Sequence, residues 1–291
     1  MNRRVSHVDH THITAPTRFV EGNGIRFAYR RFGQESGVPL LFCQHFRGGM
    51  DHWDPAVTDG FAQDRQVVLF DNAGVAGTSG DTPNSIEAMA DHAAAFVGAL
   101  GLSQVDVLGF SIGGYISQTL ALRHRTLVRR MILAATGPRG GDPSQDPQAA
   151  EHAASTDPNT GESSLEAFLY LFFRPTLTSQ AAGRAFWERR HQRKEDVDSP
   201  STPQTMAAQR AAATEWRQIR GERFSELKDT SQPTLVVNGN HDVMIPTANS
   251  YTLSQHIPRA QLIIYPDSRH GVIFQFPELF VAHGRKFLEG S

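Results

Sequence analysis

The chain has 291 residues, with 39% hydrophobic, 20% charged and 9% aromatic side chains, the balance of an ordinary globular protein. Its 28 Lys and Arg against 30 Asp and Glu leave a net charge of −2, which excludes an electrostatic nucleic-acid binder and a polybasic membrane anchor. The longest apolar runs are about six residues, far below the roughly 18 that span a bilayer, and a single cysteine, Cys43, excludes an intramolecular disulfide framework.

Residues 1–16 form a polar leader that reads as a flexible terminus. It holds basic residues but no apolar stretch of a secretory signal, so a cytoplasmic location is expected. His7, His10 and His12 lie there, and a solvated terminus is a simpler reading than a metal site. From Thr17 the chain alternates. Thr17 to Glu21 and Ile25 to Phe32 flank Gly22-Asn23-Gly24 and predict a hairpin. Pro39 to Gln44, Gln66 to Phe70, Val105 to Leu108 and Val128 to Ala134 are apolar runs of strands buried on both faces, and Cys43 falls in the first as a buried thiol. Ser85 to Leu100 and Ile112 to His124 carry apolar residues near 3.6 spacing and predict helices. Two more strands, Thr234 to Val237 and Gln261 to Tyr265, precede a helix that starts at Pro277 and runs to Leu288.

This is the pattern of an α/β fold with a mostly parallel central sheet flanked by helices. Residues 137–230 interrupt it with amphipathic helices (Ser164 to Phe173, Ser179 to Lys194, Pro203 to Arg220) and no convincing strand. They read as a helical cap inserted between strands of a core made of residues 17–136 and 231–291.

The sharpest chemical signal is Gly109-Phe110-Ser111-Ile112-Gly113-Gly114. It follows a strand-like run and opens a helix, the setting of a nucleophile elbow. A turn that sharp leaves no room for bulk at Gly109 or Gly113, and it holds the serine above the sheet edge. Serine needs a base, and the base needs a carboxylate to hold its tautomer. Asp242, in Asn238-Gly239-Asn240-His241-Asp242, and His270, in Pro266-Asp267-Ser268-Arg269-His270, follow the last two strands in the right order. Asp106 and Asp267 compete for the acid role, and His241 is a weaker rival base.

With these residues in place the chain resembles the α/β-hydrolase fold family, specifically its serine hydrolases with a helical lid, from about Arg18 to the C-terminus. The resemblance puts the triad on Ser111, Asp242 and His270, with no metal and no cofactor. It implies an oxyanion hole made of the N–H of Ile112 and one from the loop His45-Phe46-Arg47-Gly48-Gly49. Phe stands where the family usually has Gly, and the spacing to Trp53 favours Phe46 as donor, with Arg47 as the alternative. Arg47 also suits recognition of an acidic substrate, or a place on the surface; His45 is expected to brace the loop. Asp71 to Ser79 resembles a turn motif of the family, with Ala76 in place of a glycine and Ser79 structural. Serine rather than aspartate at the elbow separates the chain from haloalkane dehalogenases and epoxide hydrolases.

The resemblance implies hydrolysis of a small, largely apolar carboxylic ester or lactone through an acyl-enzyme. C–C bond hydrolysis and cofactor-free perhydrolysis use the same machinery, and a non-catalytic ligand receptor is the reading from another class. Phe46, Arg47, Phe110, Phe172, Trp187, Val243 and Val272 are the candidate substrate contacts. The expected partner is a small molecule, without nucleic acid or membrane, and the chain is a monomer or a homodimer joined through exposed aromatics of the insertion.

Overall fold

The computed structural model describes residues 10–157 and 160–290. Strands β1 (Arg18–Gly22) and β2 (Ile25–Gly33) form the expected hairpin. Asn23 and Gly24 both take positive φ, 52° and 77°, as a two-residue turn between twisted strands requires. Then follow β3 (Leu40–Cys43), α1 (Pro55–Ala62), β4 (Gln66–Phe70), α2 (Ile86–Ala99), β5 (Val105–Phe110), α3 (Ile112–Arg123) and β6 (Val128–Ala134). After an insertion the sheet resumes with β7 (Thr234–Gly239) and β8 (Ala260–Tyr265).

The sheet order is β1-β2-β4-β3-β5-β6-β7-β8, antiparallel at β1–β2 and β2–β4 and parallel elsewhere. Alternate residues of the continuous apolar strands serve two cores. Leu40 and Phe42 pack with Trp53, Phe61 and Phe280 on one face, while Leu41 and Cys43 pack with Phe70, Phe96 and Ile116 on the other. Burial pushes the Cys43 thiol up to about 12, as an inert core thiol. Strand β3 lies between β4 and β5, so the chain runs out in opposite directions from it. Ligands of open α/β sheets bind at the carboxyl edge of such a switch point.

The insertion between β6 and β7 carries α4 (Ala149–Ala154), α5 (Leu165–Phe172), α6 (Leu177–Arg190) and α7 (Pro203–Trp216). Three of these start on a hydroxyl cap. Ser164 accepts from the N–H of Ala167, Thr176 from Ser179 and Thr202 from Thr205, at 3.1–3.3 Å. After β7 come α8 (Thr247–His256), then after β8 the short α9 (Val272–Gln275) and α10 (Pro277–Glu289).

Two expectations need correction. The described part of the leader is not a loose terminus: His12 is fully buried, with its N–H on Asp59 at 2.7 Å and its Nδ1 3.0 Å from the Thr58 hydroxyl. Arg193 of the insertion donates to the carbonyls of His12 and Ile13, so residues 10–16 are tied to both α1 and the insertion. His7 lies outside the described residues. The exposed large apolar side chains of the insertion are Leu177, Val197 and Ile219, and none of them is aromatic.

Candidate active site

Ser111 stands between β5 and α3 with φ 58° and ψ −121°, a conformation that costs on the order of 1–3 kcal/mol. The surroundings hold it there. Its N–H donates to the Ala134 carbonyl at 3.0 Å, and its own carbonyl accepts from the Thr136 hydroxyl at 2.8 Å and the Gly114 N–H at 2.9 Å. The glycines are steric necessities. A Cβ on Gly113 would overlap the Cys43 carbonyl, one on Gly109 would overlap the Ser117 hydroxyl, and one on Gly114 would lie 2.5 Å from the Thr136 side chain.

Asp242 and His270 come from the loops after β7 and β8, which are laced together. The N–H of His241 donates to the Ser268 carbonyl at 2.9 Å, and the N–H of Asn240 to the Tyr265 carbonyl at 3.0 Å. Asp242 Oδ2 lies 2.8 Å from His270 Nδ1, and its Oδ1 accepts from the N–H groups of Met244 (2.8 Å) and Ile245 (3.0 Å). A carboxylate on Nδ1 selects the Nδ1–H tautomer and leaves Nε2 as a bare acceptor. His270 Nε2 is buried without a hydrogen-bond partner among the described residues, and His270 and Ser111 share one cavity wall. The ring packs on Phe110 and Phe172, with centroids 5.1 and 5.3 Å away.

The rival groups are occupied elsewhere. Asp106 is buried between Arg129 and Arg65, inside β5. Asp267 accepts from the hydroxyls of Thr176 and Thr178 at 2.8 Å each, which lowers its pKa. His241 is exposed.

Cys43 at the end of β3 pairs with Gly109 of β5, so the His45 loop runs directly past the elbow. Ile112 is the first residue of α3 and its N–H has no partner within the helix. Arg47, at φ 68°, donates its N–H to Gln209 Oε1 of α7 at 2.7 Å. Its guanidinium is buried and bonds the carbonyls of Ser155 (2.9 Å) and Gly161 (3.2 Å) and the hydroxyl of Thr156 (3.3 Å). It therefore props the insertion instead of lying on the surface, and lines the cavity with donors already engaged. His45 braces the loop as expected. Its Nδ1–H meets the Phe46 carbonyl at 2.7 Å, and burial pushes its pKa down to about 3, so the ring is neutral. His52, also on the cavity wall, is held well below its ordinary pKa by burial, and its Nδ1 accepts from the Gly49 N–H at 3.1 Å.

The Asp71 turn is structural. Asp71 accepts from the N–H of Met50 at 2.9 Å, beside the His45 loop, and the Ser79 hydroxyl accepts from the Arg26 N–H at 2.8 Å. Ala76 takes φ 42°, a region that suits the glycine it replaces.

Two cavities meet at Ser111. One, about 50 Å³, is walled by His45, His52, Arg190, Glu162, Phe172 and His270 among others. The other, about 290 Å³, runs past Phe46, Ile112, Met244 and Ile245 toward α7. Of the candidate contacts, Phe46, Arg47 and Phe172 line the smaller cavity. Four other candidate contacts need correction. Phe110 and Val272 are fully buried beneath the site, in the core formed with Trp53 and Phe274. Trp187 packs on Phe168 and under the Arg190 guanidinium, 4.6 Å from the ring centroid. Val243 faces a surface groove behind Asp242. Cavity-lining residues that sequence reasoning missed include His52, Glu162, Arg190, Met244, Arg210 and Arg217. Only Met244, two residues past Asp242, carried a local signal. Among the described residues no three His, Cys, Asp or Glu side chains group to hold a metal ion, and no helix is long and apolar enough to cross a membrane.

A family profile described as alpha/beta hydrolase fold matches residues 38–277. The chain belongs to the α/β-hydrolase fold family. Among solved structures, an alpha/beta hydrolase fold protein from Chitinophaga pinensis is 38% identical at a TM-score of 0.90, covering 97% of this chain and 100% of that one. Curated relatives include proteins named as hydrolases. A protein of Rhizobium rhizogenes, classed provisionally as the carbamate hydrolase RutD, is 28% identical and covers 86% of this chain and 92% of its own length. A 2-hydroxymuconate semialdehyde hydrolase from a Pseudomonas species is 27% identical, with 81% of each chain covered.

Proposed function

We propose that the protein hydrolyses a carboxylic ester or lactone by acyl transfer through Ser111. The observation that carries this reading is the buried Asp242–His270 pair, in which His270 keeps an unpartnered Nε2 and lines the same cavity as the strained Ser111. Ser111 Oγ attacks the acyl carbon as its proton passes to His270 Nε2, and Asp242 stabilises the imidazolium. The tetrahedral oxyanion is held by the N–H groups of Ile112 and Phe46; Arg47 is set aside because its N–H is spent on Gln209. One such donor contributes about 2.7–4 kcal/mol in a measured case from another enzyme. The C–O bond then breaks, with the proton of His270 going to the leaving alcohol. Water, activated by the same nitrogen, attacks the acyl-enzyme and releases the acid and Ser111.

The test is Ser111→Ala against a panel of p-nitrophenyl esters and lactones. Turnover is expected to vanish while the circular dichroism and thermal midpoint persist. Retained ester hydrolysis sinks the assignment. The name of the Pseudomonas relative supports a second reading, C–C bond hydrolysis by the same residues, which a vinylogous diketone substrate in the same panel distinguishes.

A further inference from the structure

The two cavities at Ser111 differ in which catalytic groups they touch. The smaller one contains both Ser111 and His270. The larger is lined by Ser111, Ile112 and Phe46 but not by His270. On the reading above, His270 protonates the leaving group, so the leaving group occupies the His270 side. The acyl chain is then directed into the larger cavity, past the oxyanion donors.

That cavity is apolar near the serine, with Ile112, Met244 and Ile245 on its wall, and cationic where α7 borders it, with Arg210 and Arg217. These two arginines are seven residues apart, Arg210 on α7 and Arg217 its C-cap in helical conformation, so they fall on one face and lie about 10 Å apart along the axis. Both are exposed, and neither has a carboxylate partner among the described residues. The contrast with their neighbours is sharp. Glu215, the one acidic residue of α7, is taken by Arg139 (2.7 Å) and Arg220. Arg139 and Arg220 also share Glu87, and Arg190 has Glu162. Arg210 of α7 and Arg217 at its C-cap, the two without an acid, both border the larger cavity. A cavity of about 290 Å³ is at the lower end of small-molecule sites and suits one short chain.

We infer that the acyl part of the substrate is a short apolar chain ending in a carboxylate, which Arg210 and Arg217 receive at the α7 end of the cavity. This inference rests on the acyl-transfer reading of Ser111 and adds the substrate class. The overall charge of −2 does not argue against an anionic substrate, because the two guanidinium groups set the local potential.

The test compares mono-(4-nitrophenyl) adipate with 4-nitrophenyl hexanoate, esters of equal chain length that differ in the terminal carboxylate. The quantity read is the ratio of their kcat/KM values at low ionic strength, in the full-length protein and in R210E/R217E. Both positions are exposed, and a thermal melt checks that the variant folds. The wild type is expected to favour the adipate. The double charge reversal is expected to lower the ratio by about tenfold, since two exposed pairs turn from attraction to repulsion. The wild-type preference is also expected to shrink as salt is raised. A ratio that is the same in the wild type and R210E/R217E overturns the inference and leaves the Ser111 reading intact. Hydrolysis of both esters that persists in Ser111→Ala overturns the underlying reading instead. No turnover of either ester by the wild type overturns both.

Discussion

Lowering the pH from 7 to 5 is expected to destabilise the fold through histidines that are buried neutral. Burial pushes the pKa of His12 and of His45 down to about 3, and that of His52 in the same direction. Between pH 3 and the ordinary histidine pKa of about 6.5 the unfolded chain binds these protons and the native protein does not, so stability falls as pH falls. For each of His12 and His45 the loss between pH 7 and pH 5 is about 2 kcal/mol. Two groups act the other way. Asp198, buried beside Asp51, Asp71, Arg30 and Arg193, is pushed up to about 6, and protonating it in the native state returns about 1 kcal/mol over the same interval. His52 adds to the loss, and Asp71, raised well above its ordinary value by burial, adds to the return. The net is a loss of about 2–3 kcal/mol, a large part of the typical 5–15 kcal/mol of a folded protein. It corresponds to a thermal midpoint lower by roughly 5 °C or more. The assay is urea unfolding at pH 7 and pH 5, with His12→Gln as the control, in which the pH-dependent drop shrinks by about 2 kcal/mol. Equal or higher stability at pH 5, or an undiminished drop in His12→Gln, would refute the reasoning.

Other expectations follow from single contacts. Asp242→Asn turns an acceptor into a donor at Nδ1 and moves the His270 proton to Nε2, where it faces Ser111; kcat for the ester panel is expected to fall on the order of 10⁴-fold, as in a serine protease with the same change, and a loss below tenfold would count against the triad. Gly113→Ala sets a methyl group against the Cys43 carbonyl, and the urea midpoint is expected to drop by the equivalent of about 1–3 kcal/mol or more, together with activity; unchanged values of both would refute the steric account of the elbow. Gln209→Ala leaves the buried Arg47 N–H unpaired, with an expected loss of about 1–3 kcal/mol by thermal denaturation, and no loss would mean that the α7 contact does not hold the oxyanion loop.

The parts of the fold that the sequence made legible are those whose constraint is local or periodic. Gln66–Phe70 and Val128–Ala134 are continuous apolar runs because both faces of an interior strand are covered, and they lie where the pattern put them. The helices that were missed lack that contrast. Helix α8 buries little beyond Asn249, Ser250 and Leu253, so its ten residues show no apolar stripe, and α1 is eight residues opened by Asp54 and Pro55. The elbow was legible for a steric reason, since Gly109 and Gly113 are demanded by atoms within a few residues or on the adjacent strand.

Residue type alone could not place the side chains of the insertion. Phe168, Phe172, Phe186 and Trp187 all sit on amphipathic helices, but Phe186 stacks on Phe274 in the core, Trp187 carries Arg190, and Phe172 reaches His270. Which aromatic meets the substrate depends on how α5 and α6 settle on the sheet, and no spacing within one helix encodes that. The choice between Phe46 and Arg47 has the same character. Both residues sit in one loop with backbone N–H groups of equal chemistry, and the partner that separates them, Gln209, lies 162 residues away on α7. Helix α7 and its C-cap therefore meet the site in two ways: Gln209 occupies the N–H of Arg47, and Arg210 and Arg217 line the larger cavity at Ser111. A residue on α7 can change the chemistry at Ser111 without touching Ser111. On the proposed acyl-transfer reading, substitutions in the insertion are therefore expected to change which substrate is accepted while Ser111, Asp242 and His270 stay as they are.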